Sequence, residues 1–183
     1  MILGLKKLIG RPIIIGNMVE SVNHITRLGP IIVTPVIDLY VRSYCRLPYP
    51  NHPRGCPNFG KRTICPPRAP RFEKLIDMTK PIYCIYHRFD LKEHTEKMQS
   101  RHPDWSDRKL RCCLYWQGTA RKQLRLKTES FLLDHPDYLI LTCPEGNGVD
   151  VDATVKQIGI ELQWPAVDYA YKIAMAGVPL NGD

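Results

Sequence analysis

Three cysteines lie near one another in the first half of the chain, in a segment without a regular apolar pattern. Cys45, Cys56 and Cys65 are separated by ten and eight residues, a wider spacing than the Cys-x-x-Cys pairs of structural zinc sites. Thiolates are soft ligands, and they bind zinc or iron-sulfur clusters. The spacing alone does not distinguish these two kinds of metal site.

The residues around these cysteines favour a deprotonated sulfur. Positive charge and hydrogen-bond donors stabilise a thiolate, and Gly55 and Gly60 leave the backbone free to turn its amides towards sulfur. A proline directly follows two of the three cysteines and stiffens the loop. We expect Lys61 and Arg62 to contact the bound group. The basic residues in the segment are Arg42, Arg46, Arg54, Lys61, Arg62 and Arg68.

A fourth candidate ligand, Cys143, follows the apolar segment Tyr138 to Thr142, which is typical of a buried strand. Sites in open α/β sheets gather beyond the carboxyl ends of strands, where loops converge. We therefore predict a metal site made by Cys143 together with Cys45, Cys56 and Cys65. His52 lies inside the cysteine-rich segment and could replace one thiolate.

The remaining cysteines carry weaker signals. Cys84 lies in the middle of an apolar strand pattern, which predicts a small buried side chain. Cys113 falls on the apolar stripe of a long predicted helix, so we expect it to pack in the core. Cys112 points off that stripe and is a candidate reactive or resolving thiol.

The size and composition of the chain indicate one globular unit. With 183 residues, 44% of them hydrophobic and 24% charged, it can bury a core and does not have the composition of a disordered chain. We predict a single domain over residues 1–183, with a metal-binding loop at about 44–71. Seven cysteines are an odd number, which argues against a complete disulfide framework and for a reducing, cytoplasmic location.

Short apolar segments and segments with helical spacing alternate along the chain. This alternation predicts an α/β or α+β fold: one layered domain with a small central sheet, flanking helices and a long cysteine-rich loop. The predicted strands are Pro12 to Ile15, Ile31 to Val41, Ile82 to Phe89 and Tyr138 to Thr142. The predicted helices are Val19 to Leu28, Phe72 to Met78, Asp104 to Leu133, Asp152 to Gly159 and Val167 to Met175.

The charge of the chain indicates the kind of partner it would have. A net charge of +8 favours anionic partners such as a nucleotide, RNA or another anionic substrate. The basic residues are spread along the chain, and no known nucleic-acid module is recognisable. The longest apolar stretch, Pro30 to Val41, is too short to cross a bilayer, so we expect no membrane association.

Two blocks of the sequence resemble a known family. The run Gly55-Cys56-Pro57-Asn58-Phe59-Gly60-Lys61, with Cys45 before it and Cys65-Pro66-Pro67 after it, is similar to the signature Cys…Cys-x-x-Tyr-Gly-Lys…Cys-Pro-Pro of a poorly characterised prokaryotic family of predicted metal-binding proteins. Cys143-Pro144 followed by Gly148-Val149-Asp150-Val151 resembles the closing segment of that family. The resemblance implies metal binding and does not supply a reaction.

The chain departs from the family pattern at two places. Phe59 stands where tyrosine is usual, which should matter little to a metal site. Many relatives also carry a close cysteine pair before the closing block, and only Cys112 and Cys113 could stand in for it here.

The soft donors and the basic loop predict a [4Fe-4S] cluster, because such a cluster carries negative charge that arginines and amides offset. Zinc is the alternative metal. Four thiolate ligands would suit electron transfer with a redox partner protein, whereas three would leave one iron open for Lewis-acid chemistry on an anionic substrate. The alternative function is a zinc-stapled basic protein that binds nucleic acid or another partner without catalysis.

Overall fold

The structure is a computed structural model that describes residues 29–48 and 53–180. The predicted strand Pro12 to Ile15, the predicted helix Val19 to Leu28 and His52 lie outside the described residues.

The described chain forms a mixed fold of helices and antiparallel strands. The strands are β1 (Ile31–Val33), β2 (Val36–Ile37), β3 (Ile82–Asp90), β4 (Leu139–Leu141), β5 (Val149–Asp150) and β6 (Tyr169–Gly177). The α-helices are α1 (Leu91–Arg101), α2 (Asp107–Leu110), α3 (Cys113–Asp134) and α4 (Val151–Lys156), and 3-10 helices lie at Leu39–Arg46, Phe72–Lys74 and Pro144–Asn147. This confirms the predicted mixed fold class with a small sheet and flanking helices.

A four-stranded antiparallel sheet lies at the centre, in the strand order β1-β3-β6-β4. The two long strands pair along their length, from Tyr83 opposite Ala176 to Asp90 opposite Tyr169. A separate two-stranded sheet joins β2 to β5. The position of Cys143 was predicted from a rule for sheets with parallel strands, whereas every strand pair described here is antiparallel.

The central sheet carries a core on each face. On one face, α3 packs through Leu124 and Phe131 against Ile85 of β3 and the alanines of β6. On the other face, a larger core includes Cys84 of β3, Met175 of β6 and Val155 of α4. Side chains on a strand alternate between faces, so β3 and β6 each contribute to both cores.

The prediction of a helix from Val167 to Met175 is wrong, because this segment forms strand β6. Alanine and methionine are strong helix formers, and four of the nine β6 residues are of these types. In the fold, β6 hydrogen-bonds to a strand on each side. Its small Ala174 and Ala176 side chains let α3 approach the sheet, so tertiary pairing overrides local propensity.

The predicted strand from Ile31 to Val41 is also wrong as one element. It divides into β1, β2 and the beginning of the 3-10 helix Leu39–Arg46. Pro35 follows β1 and has no amide to donate to a strand ladder. The side chain of Asp38 then accepts a hydrogen bond of 2.8 Å from the Tyr40 amide and begins the 3-10 helix.

The predicted helix from Asp104 to Leu133 consists of two helices, α2 and α3, interrupted at Arg111 and Cys112. The interruption is held by the Trp116 indole, which donates a hydrogen bond of 3.1 Å to the Arg111 carbonyl. The predicted helix from Phe72 to Met78 shrinks to a 3-10 turn, and Ile76 pairs instead with Pro179 in an isolated bridge. The predicted helix from Asp152 to Gly159 corresponds to α4.

Across the described residues, no helix combines the length and the apolar character that a membrane crossing would need.

Candidate metal-binding site

Cys45 lies near the end of the 3-10 helix Leu39–Arg46, and Cys56 lies directly beside it. The Cys56 amide donates a hydrogen bond of 2.8 Å to the Cys45 carbonyl. Gly55, directly before Cys56, has a φ of +79°, which is unfavourable for residues with a side chain. A Cβ atom at Gly55 would lie 2.6 Å from the Cys45 carbonyl oxygen, so only glycine permits this close approach.

Cys65 lies in a series of hydrogen-bonded turns. Its amide donates to the Arg62 carbonyl at 3.1 Å, and its own carbonyl accepts from the Ala69 amide at 2.9 Å. The Arg42 guanidinium, on the 3-10 helix that carries Cys45, donates to the Pro67 and Ala69 carbonyls at 3.2 and 2.8 Å. The turn containing Cys65 is therefore attached to the helix containing Cys45.

One residue separates Cys143 from the end of β4, and Cys143 occupies the N-cap position of the 3-10 helix Pro144–Asn147. This helix packs against the turn that carries Cys65. A Cβ atom at Gly146 would lie 2.7 Å from the Ile64 carbonyl oxygen and 3.1 Å from the Cys143 Sγ. The buried Asn147 amide group adds a hydrogen bond of 2.8 Å to the Pro70 carbonyl.

The four cysteines predicted as ligands are thus brought together from three separate segments. Their thiols lie close enough to influence one another electrostatically. Burial raises the pKa of Cys45, and the neighbouring Cys56, Cys65 and Glu145 raise it further. Burial also raises the pKa of Cys143 to about 11; Glu145, Cys65 and Cys45 act in the same direction, and a hydrogen bond from the Gly146 amide opposes them.

The four thiols are neighbours without forming a preassembled coordination sphere. Within residues 29–48 and 53–180, no group of three or more His, Cys, Asp or Glu side chains is arranged to hold a metal ion. The raised pKa values of Cys45 and Cys143 have the same origin in both cases, namely burial and the neighbouring acidic groups.

Lys61 and Arg62, which we predicted to contact the bound group, are exposed. The Lys61 carbonyl accepts a hydrogen bond of 3.5 Å from Arg68, and the Arg62 carbonyl accepts the Cys65 amide. Among the described residues, neither of their side chains has a hydrogen bond or an ion pair with the protein. Their backbones shape the turn, and the predicted contact of their side chains with a ligand stays a prediction.

Two residues near Cys143 were not identified from the sequence. Glu145 is exposed by surface area, yet the protein atoms around its carboxyl raise its pKa by desolvation. Lys172, from the middle of β6, has its pKa lowered by desolvation and by the nearby Arg121. Neither residue belongs to a recognisable motif, and β6 was predicted as a helix. No local pattern therefore indicated that Lys172 lies near Cys143.

The other three cysteines lie outside this group. Cys84 is fully buried in β3, as predicted, and burial raises its pKa to about 12. Cys113 is exposed, which corrects the prediction that it packs in the core. The reason is that Cys113 is the first residue of α3, before the stretch of that helix that packs on the sheet. Cys112 is half-buried and occupies the N-cap position of the same helix, where its side chain makes no capping hydrogen bond.

No family model, curated protein or solved structure matches this chain. The resemblance to predicted metal-binding proteins therefore rests on the residues of the two blocks alone.

Proposed function

We propose that this chain is a metal-binding protein that uses Cys45, Cys56, Cys65 and Cys143 as ligands, and that the metal species is a [4Fe-4S] cluster. The observation that carries the proposal is the convergence of four thiols from distant positions in the sequence. Seven cysteines are present, and these four are the candidate ligands named from the sequence.

The local backbone supports the proposal. Gly55 and Gly146 each occupy a position where a side chain would collide with a carbonyl oxygen of another cysteine-bearing segment. Close packing at both positions keeps the three segments near one another. Small rotations of the cysteine side chains could then direct the sulfur atoms towards a common centre, with loss of their protons on metal binding.

Soft donors fit both an iron-sulfur cluster and zinc. A cluster would supply one-electron transfer to a redox partner protein or, with one iron left open, Lewis-acid activation of an anionic substrate. The basic residues of the loop, including Lys61 and Arg62, favour the more negatively charged group, which is the cluster. Zinc in the same four thiolates is the alternative.

Anaerobic purification followed by iron, sulfide and zinc analysis tests the proposal. We expect brown protein with broad absorption in the violet and blue, about four iron atoms per chain, and Mössbauer or EPR spectra typical of a cluster. Each of the variants Cys45→Ser, Cys56→Ser and Cys65→Ser should lose most of the iron. Cys113→Ser, which removes an exposed thiol outside the group, is the matched control and should keep it.

Colourless protein with one zinc per chain would exclude the cluster and favour the zinc alternative. Protein that contains neither metal, whether purified anaerobically or reconstituted with iron and sulfide, would contradict the metal-binding proposal itself. An iron content that falls equally in Cys113→Ser would show that the proposed ligand set is wrong.

The role of Cys143 determines whether the proposed cluster has four protein ligands or three, with one iron left open. If Cys143 is a ligand, Cys143→Ala should change the spectra of the cluster and lower its stability in air. If the spectra of Cys143→Ala and the wild type are the same, three cysteines hold the cluster and one iron is open to substrate.

A further inference from the structure

The outer side of the cysteine-rich segment carries apolar side chains in contact with solvent. On the first 3-10 helix and directly after it, Tyr40, Tyr44 and Leu47 are 68%, 51% and 55% exposed. Ile64, in the turns that carry the third cysteine, is 49% exposed. The Tyr40 and Tyr44 rings pack edge to face with their centres 5.5 Å apart, so they form one aromatic unit on the surface.

The inner side of the same 3-10 helix lies against the cysteine site. An added Cβ atom at Gly148 would lie 2.6 Å from the Cδ2 atom of Leu39. Arg42 donates hydrogen bonds to two carbonyls of the turn that carries the third cysteine. Leu39, Arg42 and Cys45 are three residues apart, and positions with this spacing share a face of a 3-10 helix. The exposed aromatic unit is therefore carried by the element that positions Cys45.

Five exposed basic residues lie on the same segment as these apolar side chains. No aspartate or glutamate occurs between Leu39 and Ala69, and every ion pair in the described part of the chain joins other residues. The 3-10 helix and the loop after it are in close contact, because an added Cβ atom at Gly55 would lie 2.9 Å from the Arg46 Cα atom. The five basic residues are Arg46, Arg54, Lys61, Arg62 and Arg68.

Most of the basic side chains in and just before α3 are, in contrast, bound within the protein. Lys109 lies 4.1 Å from the centre of a tryptophan ring, and Arg111 forms an ion pair of 2.8 Å. Arg125 forms an ion pair of 3.5 Å, and Lys127 donates a hydrogen bond of 2.9 Å to a backbone carbonyl of β3. The cysteine-rich segment therefore keeps more of its positive charge available to a partner than α3 does.

We propose that Tyr40, Tyr44, Leu47 and Ile64, together with the five exposed basic residues, form a docking surface for an acidic electron-transfer protein. Protein interfaces are enriched in tyrosine and arginine, and carboxylates of the partner would complement the unpaired cations. Describing the partner as an electron-transfer protein rests on the proposed function; docking of an acidic protein does not. The partner and the cluster would exchange one electron, so that one is oxidised as the other is reduced.

A protein fits this surface better than a single-stranded nucleic acid does. Bases stack on aromatic faces that are open to them, whereas the Tyr40 and Tyr44 rings meet each other at 89°. Leu47 and Ile64 offer no ring at all. Apolar side chains accompanied by basic ones are instead the composition of a protein interface, with an apolar centre and a polar rim.

Binding of a fluorescently labelled plant-type ferredoxin, an acidic electron-transfer protein, to the full-length protein tests the surface. We expect a saturable rise in anisotropy, with a Kd that increases with salt. The double variant Arg46→Gln, Arg54→Gln should raise the Kd by about fivefold or more, because two charges of the interface are lost. Tyr44→Ala should raise the Kd by about the same factor and leave its salt dependence unchanged.

The double variant Lys122→Gln, Arg125→Gln is the matched control for charge, because it lowers the net charge equally but on α3. Leu133→Ala, which shortens an exposed apolar side chain on the same helix, is the control for Tyr44→Ala. Both controls should bind ferredoxin like the wild type. Equal weakening by the two double variants would show that only net charge matters and would overturn the proposal.

Two further results would also overturn it. One is the absence of ferredoxin binding by the wild type at low salt. The other is a double variant Arg46→Gln, Arg54→Gln that binds ferredoxin normally and loses affinity for single-stranded RNA, because this result would assign the surface to a nucleic acid.

Iron and zinc contents of the same preparations separate this inference from the proposed function. Ferredoxin binding that depends on Arg46 and Arg54 in a protein that cannot be loaded with metal supports the docking surface while the metal proposal fails. A cluster-loaded protein whose ferredoxin binding is indifferent to these two residues overturns the docking surface and leaves the metal proposal standing.

Discussion

Gly55 and Gly146 carry no side chain, and for this reason the cysteine-bearing segments can approach one another closely. At each glycine the hydrogen atom faces a carbonyl oxygen of another segment, where a methyl group would be 2.6 or 2.7 Å away. Such a distance lies inside van der Waals contact, and the neighbour at both positions is rigid backbone. These two residues therefore control how near the thiols can come to one another.

Gly55→Ala tests the role of this contact. We expect a loss of about 1–3 kcal/mol in the free energy of unfolding from the positive φ alone, with a further loss from the clash, and a lower metal content. Urea denaturation and metal analysis measure the two effects. Gly118→Ala is the control, because Gly118 lies in α3 with no atom near its added Cβ. It should stabilise by ~0.5–1 kcal/mol. Equal stability of Gly55→Ala and the wild type would contradict the assigned role.

Three of the four candidate ligands could be proposed from the sequence because their surroundings are local. Glycines, prolines and basic residues lie within a few positions of Cys45, Cys56 and Cys65. Lys172 could not be selected, since it approaches Cys143 only through the pairing of β6 with β4. No spacing along the chain records that arrangement. Long-range neighbours of a site are thus the part that sequence patterns leave out.

Among the elements, the residue patterns predict β3 and β4 as strands and α4 as a helix, as observed. The pattern of β6 predicts a helix, whereas the segment is a strand. Strand β3 is rich in aromatic and β-branched residues, which favour strands. Strand β6 contains many alanines and depends on its partners on both sides. The sequence predicts secondary structure correctly where local propensity and strand pairing favour the same element, as in β3. The prediction fails where strand pairing overrides the local propensity, as in β6.

Helix α3 packs on the sheet through a small set of buried side chains, and Phe131 is one of them. Phe131 is 4% exposed and lies against Tyr83, Tyr138 and His135. Phe131→Ala should lower the free energy of unfolding by ~3–5 kcal/mol, because it leaves a cavity between helix and sheet. Urea denaturation measures the loss.

Leu133→Ala is the matched control on the same helix, since Leu133 is 83% exposed. This substitution should change the free energy of unfolding by less than ~0.5 kcal/mol. Similar losses in both variants would mean that α3 does not pack on the sheet in the orientation described.

At the scale of the whole molecule, the net charge of +8 attracts polyanions whether or not the proposed metal site exists. Exposed basic side chains on α3, including Lys122 and Arg125, contribute to this charge. One of them, Arg125, forms an i, i+4 ion pair of 3.5 Å with Glu129. The nucleic-acid alternative would draw on this surface.

We expect the protein to bind single-stranded RNA weakly and without sequence preference, with a Kd that rises by at least about tenfold between 50 and 200 mM salt, as the release of three or more counterions requires. Fluorescence anisotropy with two unrelated sequences measures this. The double variant Lys122→Gln, Arg125→Gln should bind RNA more weakly than the wild type at the same salt concentration. Tight, sequence-selective binding that resists salt would instead support the nucleic-acid alternative over the proposed function.

The position of β6 in the sheet has a consequence for how the protein is made. This strand comes last in chain order among the described strands, yet it lies between β3 and β4 and is the only strand that β4 pairs with in the central sheet. During synthesis on the ribosome, β4 therefore has no strand partner in that sheet until residue 177 has left the exit tunnel. The segment after β4 carries Cys143, so this part of the proposed site gains its final position only after β6 has been synthesised.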